Sequence, residues 1–295
     1  MSSIERYIDK LESIGLSGNV PVDNSAARIA EREREPRKET APGSAHTMQE
    51  VTIDFTALHK SGMLTPEETQ GKLADEYRAI KRHLLKNAFG EGVVDIGHGN
   101  LIMLTSALPG EGKSFTAINL AMSMAMEMDR RVLLVEADVA KPSICKYLGV
   151  SEPQQGLVEY LSTPSIELSD VLLKTNVPKL TLLPAGRQHP TSAELLASQN
   201  MRDLMDQLSG RYADRVVIFD SPPLLLSTEA VTLSGYMGQV VLVIEAGKTQ
   251  QSVVKEALAL LDPNQTVGAI LNKNIASAAS GYGYGYYGRY GAEQD

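Results

Sequence analysis

The amino-acid sequence predicts an α/β fold built on a doubly wound, mostly parallel sheet with helices on both faces. Two observations carry this. Short apolar runs recur at 101–105, 131–136, 180–183, 215–220, 239–245 and 267–271. Most are continuous rather than alternating, as strands are when both faces are covered. Helical segments fall between them, and strand–helix alternation implies parallel strands joined by crossovers.

Taken in order, residues 1–17 hold a short amphipathic helix with Ile4, Ile8 and Leu11 on one face. Residues 18–72 read as a flexible linker, polar and charged through ERERE and PRKE, with one short segment, VTIDFTALHKSGMLTPEE, apolar enough to dock. The globular domain is expected over 73–275. Asp75–Ala88 has helical spacing, with Tyr77, Ile80, Leu84 and Leu85 on its apolar side. A second helix is expected over 114–128, carrying Ile118, Met122, Ala125 and Met126. Thr191-x-x-Glu194 has the pattern of a capping box. A further helix over 251–261 carries Val254, Leu258 and Leu261. Residues 276–295 form a tyrosine-rich tail.

The chain has 295 residues and a formal net charge of -8, with a pI near 5.3. This argues against a general nucleic-acid binder, which would carry a basic face. Cys145 is the single cysteine, so no internal disulfide forms and a reducing compartment is the simple expectation. The N-terminus is charged from its fifth residue, without a signal-like apolar core. Every apolar run falls far short of the roughly 18 residues a spanning helix needs. A soluble protein is expected, with any membrane contact made through a partner.

The segment LIMLTSALPGEGKSFTAINLA is a strand, a glycine-bearing loop and a helix. Gly110 and Gly112 let backbone N–H groups turn inward around a phosphate. Lys113 brings positive charge to the outer phosphates. Ser114 offers a hydroxyl to Mg²⁺ at a helix N-terminus, where the dipole favours anions. Pro109, Glu111 and Phe115 complete the loop. The usual pattern opens with glycine, whereas here that position is Ala107. The fold predicted is therefore a P-loop NTPase, with ATP and Mg²⁺ as cofactors.

Glu136 and Asp138 end one apolar strand, and Asp220 ends another. Carboxylates at buried strand ends are costly unless they meet a cation, and Mg²⁺ with a triphosphate supplies one. All three are expected on the metal and nucleophile side of the site. The C-terminus then places Tyr282, Tyr284, Tyr286, Tyr287 and Tyr290 within nine residues, out of 11 tyrosines in the chain. Glycine spacing keeps such a segment from building a core, so its hydroxyls suggest phosphoryl acceptors.

In order, DEYRAIK, SALPGEGKS, VEADVAKP, PAGRQHPTSAELLAS, VVIFDSPP, VIEAGKTQQSVV, GAILNK and the tyrosine cluster resemble the bacterial tyrosine autokinases of exopolysaccharide and capsule synthesis. The likeness runs from about Asp75 to the C-terminus, and is strongest to the stand-alone autokinases of exosortase-linked loci. The resemblance implies that Lys113 contacts the β- and γ-phosphates and that Ser114 ligates Mg²⁺. It puts Asp138 nearest the metal and the tyrosine hydroxyl, as candidate base, and Asp220 on a metal-bound water. Asn272 would recognise the adenine edge. The tail tyrosines would be phosphorylated in trans by a neighbouring subunit. The family's E-x-x-R-x-x-R helix, which mediates a ring oligomer, reads here as Asp75, Arg78 and Lys81. Lysine cannot reproduce arginine's two-pronged pairing. The usual D-x-D-x-R strand end reads Glu136, Asp138 and Ala140, with Lys141 next, which leaves room for altered metal geometry or weak activity. The resemblance also implies a separate membrane-bound chain-length regulator as activator, a cognate tyrosine phosphatase, and a cytoplasmic location at the inner membrane through the partner.

Two other readings compete. A partition or cell-division ATPase of the same broad fold carries a lysine early in its loop, where this chain has Leu108, and lacks a tyrosine tail. A non-catalytic ATP-binding scaffold of a polysaccharide export complex is kept open by Glu136 and Ala140.

Overall fold

The computed structural model describes residues 48–68, 70–90, 97–127, 130–210 and 214–274. The expected helix at 4–13, most of the charged linker and the tyrosine tail lie outside them.

Eight strands form one sheet: β1 (Gln49–Val51), β2 (Leu101–Ser106), β3 (Arg131–Glu136), β4 (Leu173–Thr175), β5 (Leu180–Leu183), β6 (Arg215–Asp220), β7 (Gln239–Glu245) and β8 (Thr266–Asn272). Their order is β1-β4-β5-β3-β6-β2-β7-β8. All neighbours are parallel except β4 and β5, which form an antiparallel hairpin.

The central strands show why continuous apolar runs were needed. In β2, Leu101 and Met103 join the core on one face, while Ile102 and Leu104 join the other. In β3, Leu133 and Val135 face the first core, and Val132 and Leu134 the second. Side chains alternate across a strand, so a strand covered on both faces must be apolar throughout.

The second face is covered by α1 (Phe55–Lys60), α2 (Lys72–Phe89), α3 (Lys113–Ala125) and α4 (Ile144–Leu148). The first is covered by α5 (Leu157–Ser162), α6 (Leu168–Val171), α7 (Ser192–Leu196), α8 (Gln199–Gly210), α9 (Thr228–Ser234) and α10 (Gln251–Leu258).

Four expectations are corrected. Residues 49–64, assigned to the linker with its docking segment, carry β1 and α1 and extend the folded unit N-terminal of Leu73. Ile53, Leu58, Met63 and Leu64 are buried. Asp54 caps α1 by accepting from the N–H groups of Thr56 and Ala57. The Asn176 side chain both accepts from the Ile53 N–H and donates to its carbonyl. This tethers the segment to the β4–β5 turn, a contact no local pattern reveals.

Secondly, Thr191 makes no capping hydrogen bond. Its hydroxyl meets His189 Nδ1 at 2.9 Å instead, so the capping box does not form. Thirdly, Lys81 is 8 % exposed. It donates to the Ser123 carbonyl at 2.9 Å and pairs with Glu127 at 2.6 Å, tying α2 to the end of α3. This internal lysine is unsuited to an interface between copies. Asp75 and Arg78 pair with each other on the exposed side of α2. Finally, the helix expected over 251–261 ends at Leu258, whose side chain is exposed rather than packed.

Leu58 is fully buried, so Leu58→Ala is expected to cost about 2–5 kcal/mol. Urea unfolding of the full chain measures this, and an unchanged midpoint would contradict the docking of 49–64.

Candidate active site

The C-terminal ends of parallel strands in an open α/β sheet collect functional groups. Here the loop after β2 turns at Gly110 and Gly112, both with positive φ, 82° and 99°. L-residues with side chains rarely adopt this region. At Gly112 space is closed as well, since a Cβ there would come within 2.1 Å of Asn272 Nδ2. The loop enters α3 at Lys113, so the helix N-terminus points into the site.

The ends of β3 and β6 meet it on one side. The Asp220 carbonyl, at the end of β6, accepts from the N–H groups of Ala137 and Asp138 at 2.8 and 3.0 Å. This bond splices β6 to the end of β3 and sets Asp138 opposite the loop. Lys113 Nζ donates to Asp138 Oδ2 at 2.7 Å. The other Asp138 oxygen accepts from the Lys141 N–H at 3.1 Å. Ser143 Oγ lies 3.1 Å from Ser114 Oγ.

Asp220 is fully buried, and neither carboxylate oxygen has a hydrogen-bond partner. Burial pushes its pKa up to about 7, with Lys113 and the Ser114 hydroxyl nearby offsetting only part of that. Burial also works against the charge on Lys113, yet Asp220, Asp138 and Glu136 together hold its pKa above the usual value. The cluster thus has one cation among three carboxyl groups, and its deepest one is unpartnered. Such an arrangement favours a further cation. Ser114 and Asp220 supply the hard oxygen donors that suit Mg²⁺.

Glu136 departs from expectation. One of its oxygens accepts from the Ser143 and Ile144 N–H groups, at 2.5 and 2.6 Å, and the other from Ala185 at 3.4 Å. It holds the start of α4 and the end of β5, a helix-terminus role, rather than facing the metal side. Burial raises its pKa, against those three bonds.

Glu111, named in the sequence as a loop residue, is 2 % exposed. Its carboxylate accepts from the Leu108 N–H at 2.7 Å, the Glu245 N–H at 3.3 Å and the Thr249 hydroxyl. Thr249 and Glu245 lie more than 130 residues away, both within the segment VIEAGKTQ. Asn272 reaches the loop, but its amide nitrogen donates to the Glu111 carbonyl at 2.9 Å. Phe115 is packed partly buried against the second core. Pro109 is exposed at the loop tip. Asp75, Arg78 and Lys81 are not brought to the site, because Lys81 meets the far end of α3. The five tail tyrosines lie outside the described residues.

A cleft of about 550 Å³ opens between the ends of β3 and β5, against Glu136, and is lined in part by Lys141, Lys146, Glu152, Gln154, Arg187 and Gln188. Cys145 lies in its wall, and burial pushes the thiol up to about 12, so it is unreactive.

Residues 99–274 match the family model described as an AAA domain. The chain is 39% identical over 186 residues to tyrosine-protein kinase YwqD of Bacillus subtilis, covering 62% of this chain and 76% of that one. It is 31% identical over 208 residues to tyrosine-protein kinase CpsD of Streptococcus agalactiae, covering 70% and 88%. By contrast it spans only 26% of tyrosine-protein kinase wzc of Salmonella typhimurium, at 32% identity over 64% of this chain. The kinase domain of Escherichia coli tyrosine kinase ETK superposes with a TM-score of 0.61 at 27% identity, covering 84% of this chain and 100% of that domain. The chain therefore belongs to the AAA-domain family of P-loop proteins and, within it, to the bacterial tyrosine-protein kinases.

The buried Asp220 carboxyl keeps its proton to about pH 7, whereas an ordinary aspartate releases it near 3.8. The unfolded chain therefore binds fewer protons between those values, and Asp220 costs the nucleotide-free protein stability as pH rises through that window. Asp220→Asn should gain on wild type across it, by up to roughly 4 kcal/mol above pH 7. Thermal unfolding at pH 4 and pH 8 without nucleotide measures it; a gap independent of pH would contradict it.

Proposed function

We propose that the chain is an ATP-dependent protein-tyrosine kinase that phosphorylates its own C-terminal tyrosine cluster, in trans between copies, and so regulates exopolysaccharide synthesis or export. The observation that carries the nucleotide reading is the buried, unpartnered Asp220 carboxylate beside Lys113 at the mouth of the phosphate loop. A carboxylate so placed suits a metal–triphosphate. Ser114 and Asp220 would hold Mg²⁺, with Asp138 beside them. When bound, the ion would neutralise charge on the β- and γ-phosphates.

The residues divide the remaining work. Lys113 shifts from Asp138 towards the terminal phosphates. Asp138, relieved of that partner, is free to accept the proton of a tyrosine hydroxyl as the tyrosine oxygen attacks the γ-phosphorus, while the bond from that phosphorus to the β–γ bridging oxygen breaks and ADP leaves. The cleft lined by Lys141 and Arg187, which reaches Glu136 and Ala140 on either side of Asp138 in the chain, is the proposed seat of an acceptor segment. Tyr282, Tyr284, Tyr286, Tyr287 and Tyr290 are the acceptors, and their glycine spacing allows several to be presented in turn. Asp75 and Arg78, on the exposed side of α2, are the residues left to support a ring of copies.

Among the described residues, no helix is long and apolar enough to cross a membrane. A cytoplasmic location, peripheral to the inner membrane through a separate chain-length regulator that activates the kinase, fits this reading, as does a cognate tyrosine phosphatase. It is supported by the likeness to CpsD and to the longer wzc, of which this chain spans only the part named above.

Incubation with Mg·ATP, alone and with a candidate regulator, should place phosphate on the tail tyrosines. Lys113→Met should reduce it at least a hundredfold (order of magnitude for loss of a phosphate-binding charge), and chelation of Mg²⁺ should abolish it. Mass spectrometry reads the sites. Wild type that binds Mg·ATP yet leaves the tail unmodified under both conditions would favour the scaffold reading.

A further inference from the structure

The phosphate loop is gripped from behind by the last two residues of the folded unit before Asn274. Asn272 Nδ2 donates to the Glu111 carbonyl at 2.9 Å, and Lys273 Nζ donates to the Gly110 carbonyl at 2.6 Å. Each bond spans more than 160 residues of chain. Lys273 adopts φ 57°, unusual for a residue with a side chain. Glu245 pairs with Lys273 at 3.3 Å, steadying it over the loop.

A peptide unit is planar and trans, so its carbonyl and the N–H of the next residue point in opposite directions. Holding the Gly110 carbonyl therefore aims the Glu111 N–H. Holding the Glu111 carbonyl aims the Gly112 N–H. These are two of the amides a phosphate loop turns towards its anion. A cation on the carbonyl also polarises the unit and strengthens its N–H as a donor. A Cβ at Gly112 would push Asn272 Nδ2 off the loop, and the Glu111 carboxylate fixes the loop's third corner at Leu108.

We infer that Asn272 and Lys273 are positioning residues that preset the Glu111 and Gly112 amides for the nucleotide's phosphates, acting through the loop and not through the base. This rests on the Mg·ATP reading above. It differs from the adenine-edge role implied by resemblance in what the Asn272 side chain holds, since one of its two amide hydrogens is given to the loop's Glu111 carbonyl.

Calorimetric titration of the full chain with Mg·ADP, Mg·GDP and Mg·tripolyphosphate tests it. Asn272→Asp keeps the shape and removes the donor; Lys273→Met removes the charge at an exposed side chain; Lys273→Arg restores a charged donor. The first two should each weaken all three ligands by about tenfold, the scale of one hydrogen bond with a charged or polarised partner. The ADP-to-GDP ratio should stay at its wild-type value, and Lys273→Arg should recover part of the loss. A loss confined to ADP, with tripolyphosphate unaffected, overturns the inference in favour of base recognition. So do unchanged affinities for all three ligands. Wild type that binds none of them overturns the Mg·ATP reading itself, and this inference with it.

Discussion

One cation among three buried carboxyl groups organises this site. Lys113 is paired to Asp138, feels Asp220 and Glu136, and keeps its charge despite burial. Removing one member of such a buried pair leaves an uncompensated charge, which typically costs 3–5 kcal/mol (approximate). The fold tolerates the cluster because its parts are fixed by backbone. The Asp220 carbonyl splices β6 to β3, Glu136 is consumed by three N–H groups, and Lys113 opens α3. What is left over is the Asp220 carboxylate. A group kept buried without a partner stores a preference for a cation.

The same logic explains why the loop is clamped on its other side. Phosphate loops work by aiming backbone amides, and exposed glycine-rich backbone is entropically free to aim them elsewhere. Glu111 ties the loop to the end of β7 and to Thr249, while Asn272 and Lys273 tie it to the end of β8. One wall, β3 and β6, brings charge. The opposite wall, β7 and β8, brings order.

Much of this was legible in the sequence. All six expected strands appear within one residue of their predicted bounds, because runs such as VLLVE and VVLVIE suit doubly covered strands. The loop and the carboxylates at the ends of β3 and β6 were legible because glycines and charges that close an apolar run leave local motifs. The short strands β1 and β4 were not, since three residues such as LKT carry no periodicity. Nor was the inward turn of Lys81, which depends on where α3 ends, or the fate of Glu136, whose partners lie in α4 and after β5.

The sequence by itself determined the strand–helix alternation, the phosphate loop, the identities of Lys113, Ser114, Asp138 and Asp220, and the acceptor-like tail. These are encoded in stretches of a dozen residues, where spacing and chemistry suffice. Only the tertiary structure decided which carboxylate is spent on backbone, which is left for a cation, and what holds the loop. Those outcomes turn on contacts between residues from seven to more than 160 positions apart. Burial and hydrogen-bond partners are properties of that assembled environment, and no local pattern specifies them.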